Sequence, residues 1–228
     1  MYQGTEAAVG PAAEICERIW LSIAERRLRP GTRLKEEQLA EVFEVSRARV
    51  RQALAMLESD GLVTILPNRG AFVAEPGVHE ARDVFHFRRQ VEARVLERLT
   101  DSIDETAIPR LEAHLALERE ADAKGDKTAI IRLSGGFHLL LAELSGSTFL
   151  VSMLRDLISR STLIATMYRR QVDHNCGPDE HAALIEAIRA SDLAEAVRLM
   201  DDHLCHVEDE LDLTEAVSVL RDLREALV

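Results

Sequence analysis

The stretch Val45-Ser46-Arg47-Ala48-Arg49-Val50-Arg51-Gln52-Ala53-Leu54-Ala55-Met56-Leu57-Glu58, closed by Asp60-Gly61-Leu62, decides the reading of this chain. Val50, Leu54 and Leu57 recur at the three-to-four spacing that gathers them on one buried helical face, and Ser46 stands where an N-cap belongs. Arg47, Arg49 and Arg51 then cluster in the first two turns, on the side left for solvent or a partner. Three guanidinium groups at the positive end of a helix oppose its dipole, but they suit phosphates and guanine edges. The stretch reads as a DNA recognition helix.

Its neighbours extend that reading outward. Glu36-Glu37-Gln38-Leu39-Ala40-Glu41-Val42-Phe43 makes a short amphipathic helix, and Glu44-Val45-Ser46 is a connection of helix-turn-helix length. After Gly61, Leu62 to Leu66 and Ala71 to Val73 read as strands joined by Pro67-Asn68-Arg69-Gly70, which places Arg69 at the tip of a wing. Thr32-Arg33-Leu34 adds a candidate small strand. Three arginines on a helix are, taken alone, more often a solvated face, and a helix pair is usually just packing. The order helix, turn, arginine-rich helix, hairpin with a basic tip is much harder to reach by chance.

Length and charge set the frame. The 228 residues suit one or two domains with their own cores, and the net charge of -12 argues against a protein that coats nucleic acid generally. Residues 1 to 77 carry 10 basic and 11 acidic side chains, leaving 18 basic and 29 acidic for residues 78 to 228, so the acidity sits in the second part. Local arginines can still hold phosphate, because charges further away than a Debye length of about 8 Å are screened at physiological salt. Cys16, Cys176 and Cys205 are odd in number and lack metal-knuckle or CxxC spacing, which points to reduced thiols. No stretch approaches the roughly 20 apolar residues of a membrane span, and no secretory signal opens the chain, so the expected location is the cytoplasm without membrane contact.

Composition divides the chain into a mobile arm over 1–10, a winged helix-turn-helix over 11–74, a linker over 75–78 containing Pro76-Gly77, and an all-helical domain over 79–228. The fold class is mainly α. In the first domain Pro11 opens a helix whose Ile15, Ile19 and Ile23 share a face and which Arg29-Pro30-Gly31 closes. The second domain reads as a bundle of about seven helices. Val84, Phe87, Val91 and Val95 mark one; Ile108, Leu111 and Leu115 the next; Phe137, Leu140, Leu141 and Leu144 a third. Phe149 to Met167, apolar on most sides, is expected at the centre; Gly177-Pro178 starts a helix, and Leu193 to Val207 and Leu211 to Leu227 complete the set.

His138, His181 and His203 fall on three separate helices of that bundle. Imidazoles from facing helices are how bundles build metal sites, and three nitrogens with an open position suit zinc, nickel or a similar divalent ion. Eight histidines make some triple inevitable, and His206 competes for a ligand role; His79, His86, His114 and His174 read as surface or capping residues. Arg88 is followed four residues later by Glu92, which is either an ordinary helical ion pair or, if Arg88 faces inward, a guanidinium seeking a carboxylate ligand. Arg160 within the apolar helix poses the same choice. A metal-dependent hydrolase using the three histidines is the rival reading, with Glu180 as its nearest candidate base, though adjacent residues on a helix do not face the same way. An architectural DNA binder without sequence preference conflicts with the acidic total.

Leu39-Ala40, Val45-Ser46-Arg47, Val50-Arg51, Ala53-Leu54, Leu57, Gly61-Leu62 and Pro67 to Ala71 together resemble the GntR family of bacterial transcription regulators, and the helical remainder resembles the FCD effector domain of its FadR-like subfamily. The resemblance spans roughly residues 11 to 215. It implies a homodimer that binds an inverted-repeat operator in double-stranded DNA and responds to a small organic or sugar acid. By position it makes Arg47 and Arg51 DNA-contacting arginines, Ser46 a phosphate-contacting hydroxyl, and Asn68, Arg69 and Gly70 the segment that approaches the minor groove. A base contact by Arg49 is an expectation of the residue reading alone, and Glu37 stands where some members place a DNA-contacting arginine. In the helical domain Arg88 and Glu92 fit the family's arginine-then-glutamate pattern, which the resemblance ties to effector binding, and His138, His181 and His203 fit its three metal-binding histidines; Ser134, and Arg160 from the residue reading alone, are the further effector-binding candidates. Ser134 replaces the family's aspartate, which removes the one anionic ligand. The resulting expectation is a metabolite-responsive DNA-binding regulator, a repressor, and not an enzyme.

Overall fold

The structure is a computed structural model that describes residues 10–169 and 177–214. Its elements follow from local sequence chemistry. Helix α1 (Pro11–Ala24) starts on proline, whose missing N–H costs nothing in a first turn, and buries Ile15, Ile19, Trp20 and Ile23. It ends at Ala24, five residues before Arg29-Pro30, because Arg26 turns left-handed (φ 58°) and the Leu28 N–H closes onto the Ser22 carbonyl at 2.8 Å. Strand β1 (Arg33–Leu34) and helix α2 (Glu36–Val42) follow.

Helix α3 (Arg47–Ser59) is capped by Ser46, whose Oγ accepts the Arg49 N–H at 3.3 Å, and it buries Val50, Ala53, Leu54 and Leu57. Gly61, at φ 69°, makes the left-handed turn that releases the chain into β2 (Val63–Leu66). Strand β3 (Gly70–Val73) pairs antiparallel with β2, Val63 opposite Val73 and Leu66 opposite Gly70, and with β1, Arg33 opposite Phe72. The sheet order is β1-β3-β2.

Six helices follow among the described residues: α4 (Val78–Ser102), α5 (Ala107–Lys124), α6 (Lys127–Leu144), α7 (Thr148–Tyr168), α8 (Gly177–Arg189) and α9 (Leu193–Asp209). Asp126, Ser147 and Asp192 cap α6, α7 and α9 through side-chain oxygens, and Gly125 closes α5 in a left-handed turn at φ 63°. The helix expected from Leu211 does not begin there. Leu211 instead forms a bridge with Arg169, Leu211 and Leu213 are buried, and the rest of that segment, like the arm at 1–9 and His174, lies outside the described residues.

Helix α7 explains its own all-round apolarity. One side packs in the bundle core through Leu154, Leu157 and Ile158, while Leu163 is buried in the core of the winged helix-turn-helix with Met167 beside it. The first domain therefore rests directly on α6 and α7. Thr128 on α6 donates its hydroxyl to Glu25 at 2.9 Å, and Tyr168 on α7 donates to the Pro76 carbonyl at 3.0 Å, tying down the connection between the domains.

Candidate functional site

The recognition helix and the wing line one cleft, in which Arg33, Lys35 and Arg47 meet Gly70 at the wing. Arg47, Arg49, Arg51 and Arg69 are exposed, Asn68 takes the left-handed conformation at φ 60°, and Gly70 follows at φ 98°. Arg33 and Arg69 each lie 6.0 Å from the Phe72 ring centroid. The sequence reading missed one feature of this surface: Arg47 is bonded to Glu37, and Arg51 pairs with Glu36 at 3.2 Å. Both pairs are largely exposed and therefore weak enough for phosphates to displace.

Inside the bundle, α6, α8 and α9 bring His138, His181 and His203 together, with ligand nitrogens within 4.8 Å of one another. All three rings are buried. Each uses its Nδ1 on a carboxylate from another segment of chain: His138 on Glu92 of α4, His181 on Glu118 of α5 at 2.8 Å, and His203 on Glu180 of α8 at 2.6 Å. An Nδ1–H donated to a carboxylate leaves the Nε2 lone pair free, which is how metal-binding histidines are oriented. The Nε2 atoms of His138 and His203 are 3.3 Å apart, and His181 Nε2 is buried without any hydrogen-bond partner. Ion–nitrogen bonds of about 2.0–2.1 Å give tetrahedral ligand edges of about 3.3–3.4 Å, which the His138–His203 edge matches, and with the unpartnered His181 Nε2 the residue types fit a divalent ion of the zinc type.

The electrostatics agree with ligands held neutral. Burial drives His138 well below the usual imidazole range, lowers His181 to about 3, and lowers His203. Burial also raises Glu92, against the pull of Arg88, and pushes Glu118 up to about 7, whereas the hydrogen bond from His203 lowers Glu180 to about 2. Phe137 stacks on His181 at 3.9 Å between centroids and holds the ring plane.

A cavity of about 210 Å³ opens beside this cluster. Its walls include Arg88, Ser134, Ser161, Glu180 and His203. Arg88 faces inward and is not unpaired: its Nε donates to Glu92 at 2.6 Å and its Nη1 to Ser161 at 3.1 Å. Arg160 is placed elsewhere. It pairs with Asp156 at 3.0 Å and Glu80 at 3.3 Å and packs over Gly61 at the end of the recognition helix, so the expectation of an effector contact at Arg160 gives way to a contact between the domains. The adjacent residue, Ser161, is the one that reaches the cavity.

Residues 11–73 match the bacterial regulatory proteins of the gntR family, and residues 83–206 match the FCD domain, which by itself spans more than half of the chain. The chain belongs to the gntR family, in its FCD-bearing form. It is similar to the HTH-type transcriptional repressor RspR of Escherichia coli K12, 27% identical over 186 residues and covering 80% of both chains. Its fold is similar to E. coli McbR/YncC, with a TM-score of 0.72 at 20% identity over 89% of this chain and 99% of that one. A putative GntR regulator from Rhodococcus sp. RHA1 gives a TM-score of 0.71 at 24% identity over 87% and 97%.

A gntR-family chain is a transcription regulator and not an enzyme, and the hydrolase reading finds no support. Glu180, its candidate base, has both oxygens occupied, one by His203 and the other by His206 at 2.7 Å. Among the described residues no helix is long and apolar enough to cross a membrane. His114 departs from the surface role expected of it: half-buried, its Nε2 meets the Leu133 carbonyl at 2.8 Å and it lies 3.7 Å from Glu118. His79 and His86 are exposed. Glu118 is the site residue that sequence reasoning missed, and Glu92, expected only as the partner of Arg88, also anchors His138. A signal existed for Glu118, which continues the buried Leu111, Leu115 spacing on α5 and so puts a carboxylate on an apolar face.

Proposed function

We propose that this gntR-family chain is a homodimeric repressor that binds an inverted-repeat operator and is controlled by a small organic or sugar acid held in the bundle beside a divalent metal ion. The observation that carries the effector half is the convergence of three neutral imidazole Nε2 atoms, each ring fixed by a carboxylate, next to a cavity that also receives Arg88. His138, His181 and His203 would hold the ion, which supplies Lewis-acid affinity for a carboxylate. Ser134, one helical turn before His138, contributes no charge, so an acid effector is the natural source of the anionic ligand. Arg88 is already engaged by Glu92 and Ser161, and it orients the effector through the donors those bonds leave. The repressor sign is supported by the printed name of RspR.

The DNA half rests on α3 and the wing. Arg47, Arg49 and Arg51 present guanidinium groups to the major groove, with bidentate base contacts contributing about 1–3 kcal/mol each, while Ser46 and Asn68 to Gly70 contact backbone and minor groove. Selecting operators from randomised duplexes with the full chain and then measuring affinity tests this directly. Arg47→Ala with Arg51→Ala should abolish specific binding and leave a folded dimer; unchanged operator affinity refutes the assignment.

A further inference from the structure

The cavity is not built by the bundle alone. Ala24 and Arg26, at the end of α1, line it together with Arg88, His203 and Arg169. Those two residues belong to the DNA-binding domain. They are held there by the packing of Ile23 and Ala24, both buried, and by the Glu25–Thr128 hydrogen bond between the domains.

Charge balance around the cavity singles out Arg26. Arg88 is matched by Glu92 at 2.6 Å, Arg169 by Glu210 at 2.5 Å, and His203 and His206 by Glu180 at 2.6 and 2.7 Å. Arg27 beside it is matched by Glu25 at 2.5 Å. Among the described residues Arg26 has no acidic partner. Its left-handed backbone at φ 58° belongs to the turn that ends α1 and sets the direction in which the side chain leaves the helix end. Arg26 is exposed at the edge of the cavity, where its guanidinium is solvated and free to meet an anion of a bound ligand, while the cavity's other charges are balanced.

We propose that Arg26 is a second anion contact of the effector cavity, so that the effector is a small acid with two anionic groups. One group lies at the histidine cluster and Arg88, the other at Arg26. A cavity of about 210 Å³ is below the range that holds drug-sized ligands and suits a compact diacid. Because Arg26 comes from the DNA-binding domain, such a ligand bridges that domain and the bundle. Its contact with Arg26 is then a differential interaction, present only in the arrangement that keeps α1 on α6 and α7, and only such interactions shift a conformational equilibrium.

This inference rests on the reading of the cavity as an acid-binding site, and the test separates the two. Calorimetric titration of the full-length, metal-loaded chain uses malonate, succinate, glutarate, malate and galactarate against the monoacids propanoate, butanoate, lactate and gluconate. Diacids should bind, and Arg26→Gln should weaken the best of them about tenfold or more while leaving monoacid binding unchanged. Arg26→Gly, which removes the charge and accepts the left-handed backbone, should show the same loss and excludes misfolding as its cause. Diacid affinity that is unchanged in both variants, or monoacids that bind as tightly as their diacid counterparts, overturns the role of Arg26 and leaves the acid-binding cavity standing. No binding by any of these acids overturns both.

Discussion

Gly61→Ala tests how tightly the bundle grips the recognition helix. Gly61 sits at φ 69°, where an alanine costs about 1–2 kcal/mol from the backbone alone. A Cβ there would also lie 2.5 Å from Arg160 Cζ, 2.7 Å from Nε and 2.8 Å from Cγ. The near approach to Cγ means that the whole side chain must move, not just its tip. Moving it breaks the pairs with Asp156 and Glu80, whose side chains are 38% and 50% exposed, so these contribute only about 0–1 kcal/mol. With each of the two pairs at about 0.5 kcal/mol, the middle of that range, the total comes to about 2–3 kcal/mol, read by urea unfolding. In an Arg160→Ala background those three nearest atoms are gone, and the same substitution should cost only the backbone share of about 1–2 kcal/mol. A coupling of about 1 kcal/mol is therefore expected from the double-mutant cycle. Equal costs in the two backgrounds would refute the contact between Arg160 and the end of the recognition helix.

Three further outcomes follow from particular residues. Ser46→Ala removes the cap that accepts the Arg49 N–H and should cost about 1 kcal/mol of stability by urea unfolding; no loss would mean that the cap is idle. Glu118→Gln keeps the size of the side chain but weakens the anchor on His181 Nδ1. Chelator competition should show metal affinity reduced about 10–100-fold with the unfolding midpoint nearly unchanged, and equal affinity would count against the orienting role. Burial raises the Cys16 thiol to about 12, so at pH 8 it is protonated and enclosed. Alkylation mapped by mass spectrometry should leave Cys16 unmodified until the chain is unfolded, since the thiolate is the reactive form.

The recognition helix was legible because its determinants are local. Ser46, the Val50, Leu54, Leu57 stripe and Gly61 all act within a few residues of one another. The bundle was legible as a bundle, but the stripe on α4 was misjudged. Phe87 is 57% exposed and Phe85 is buried, because Arg88 and Glu92 occupy positions that a hydrophobic pattern assigns to apolar side chains. The functional site itself thus disturbed the pattern used to read the helix. The carboxylates that orient the histidines lie 46, 63 and 23 residues from them, and no sequence spacing encodes such pairings. Arg160 was drawn into the effector site by its apolar surroundings; those surroundings are the interface that α7 shares with the DNA-binding domain.

Metal content per chain, measured by elemental analysis on untagged protein purified without chelator, tests the central claim most directly. The account predicts about one equivalent of a divalent ion, zinc or nickel, lost in His138→Ala and His181→Ala while the chain remains folded. Absence of metal after incubation with zinc, nickel and manganese, or undiminished metal in both variants, would contradict it.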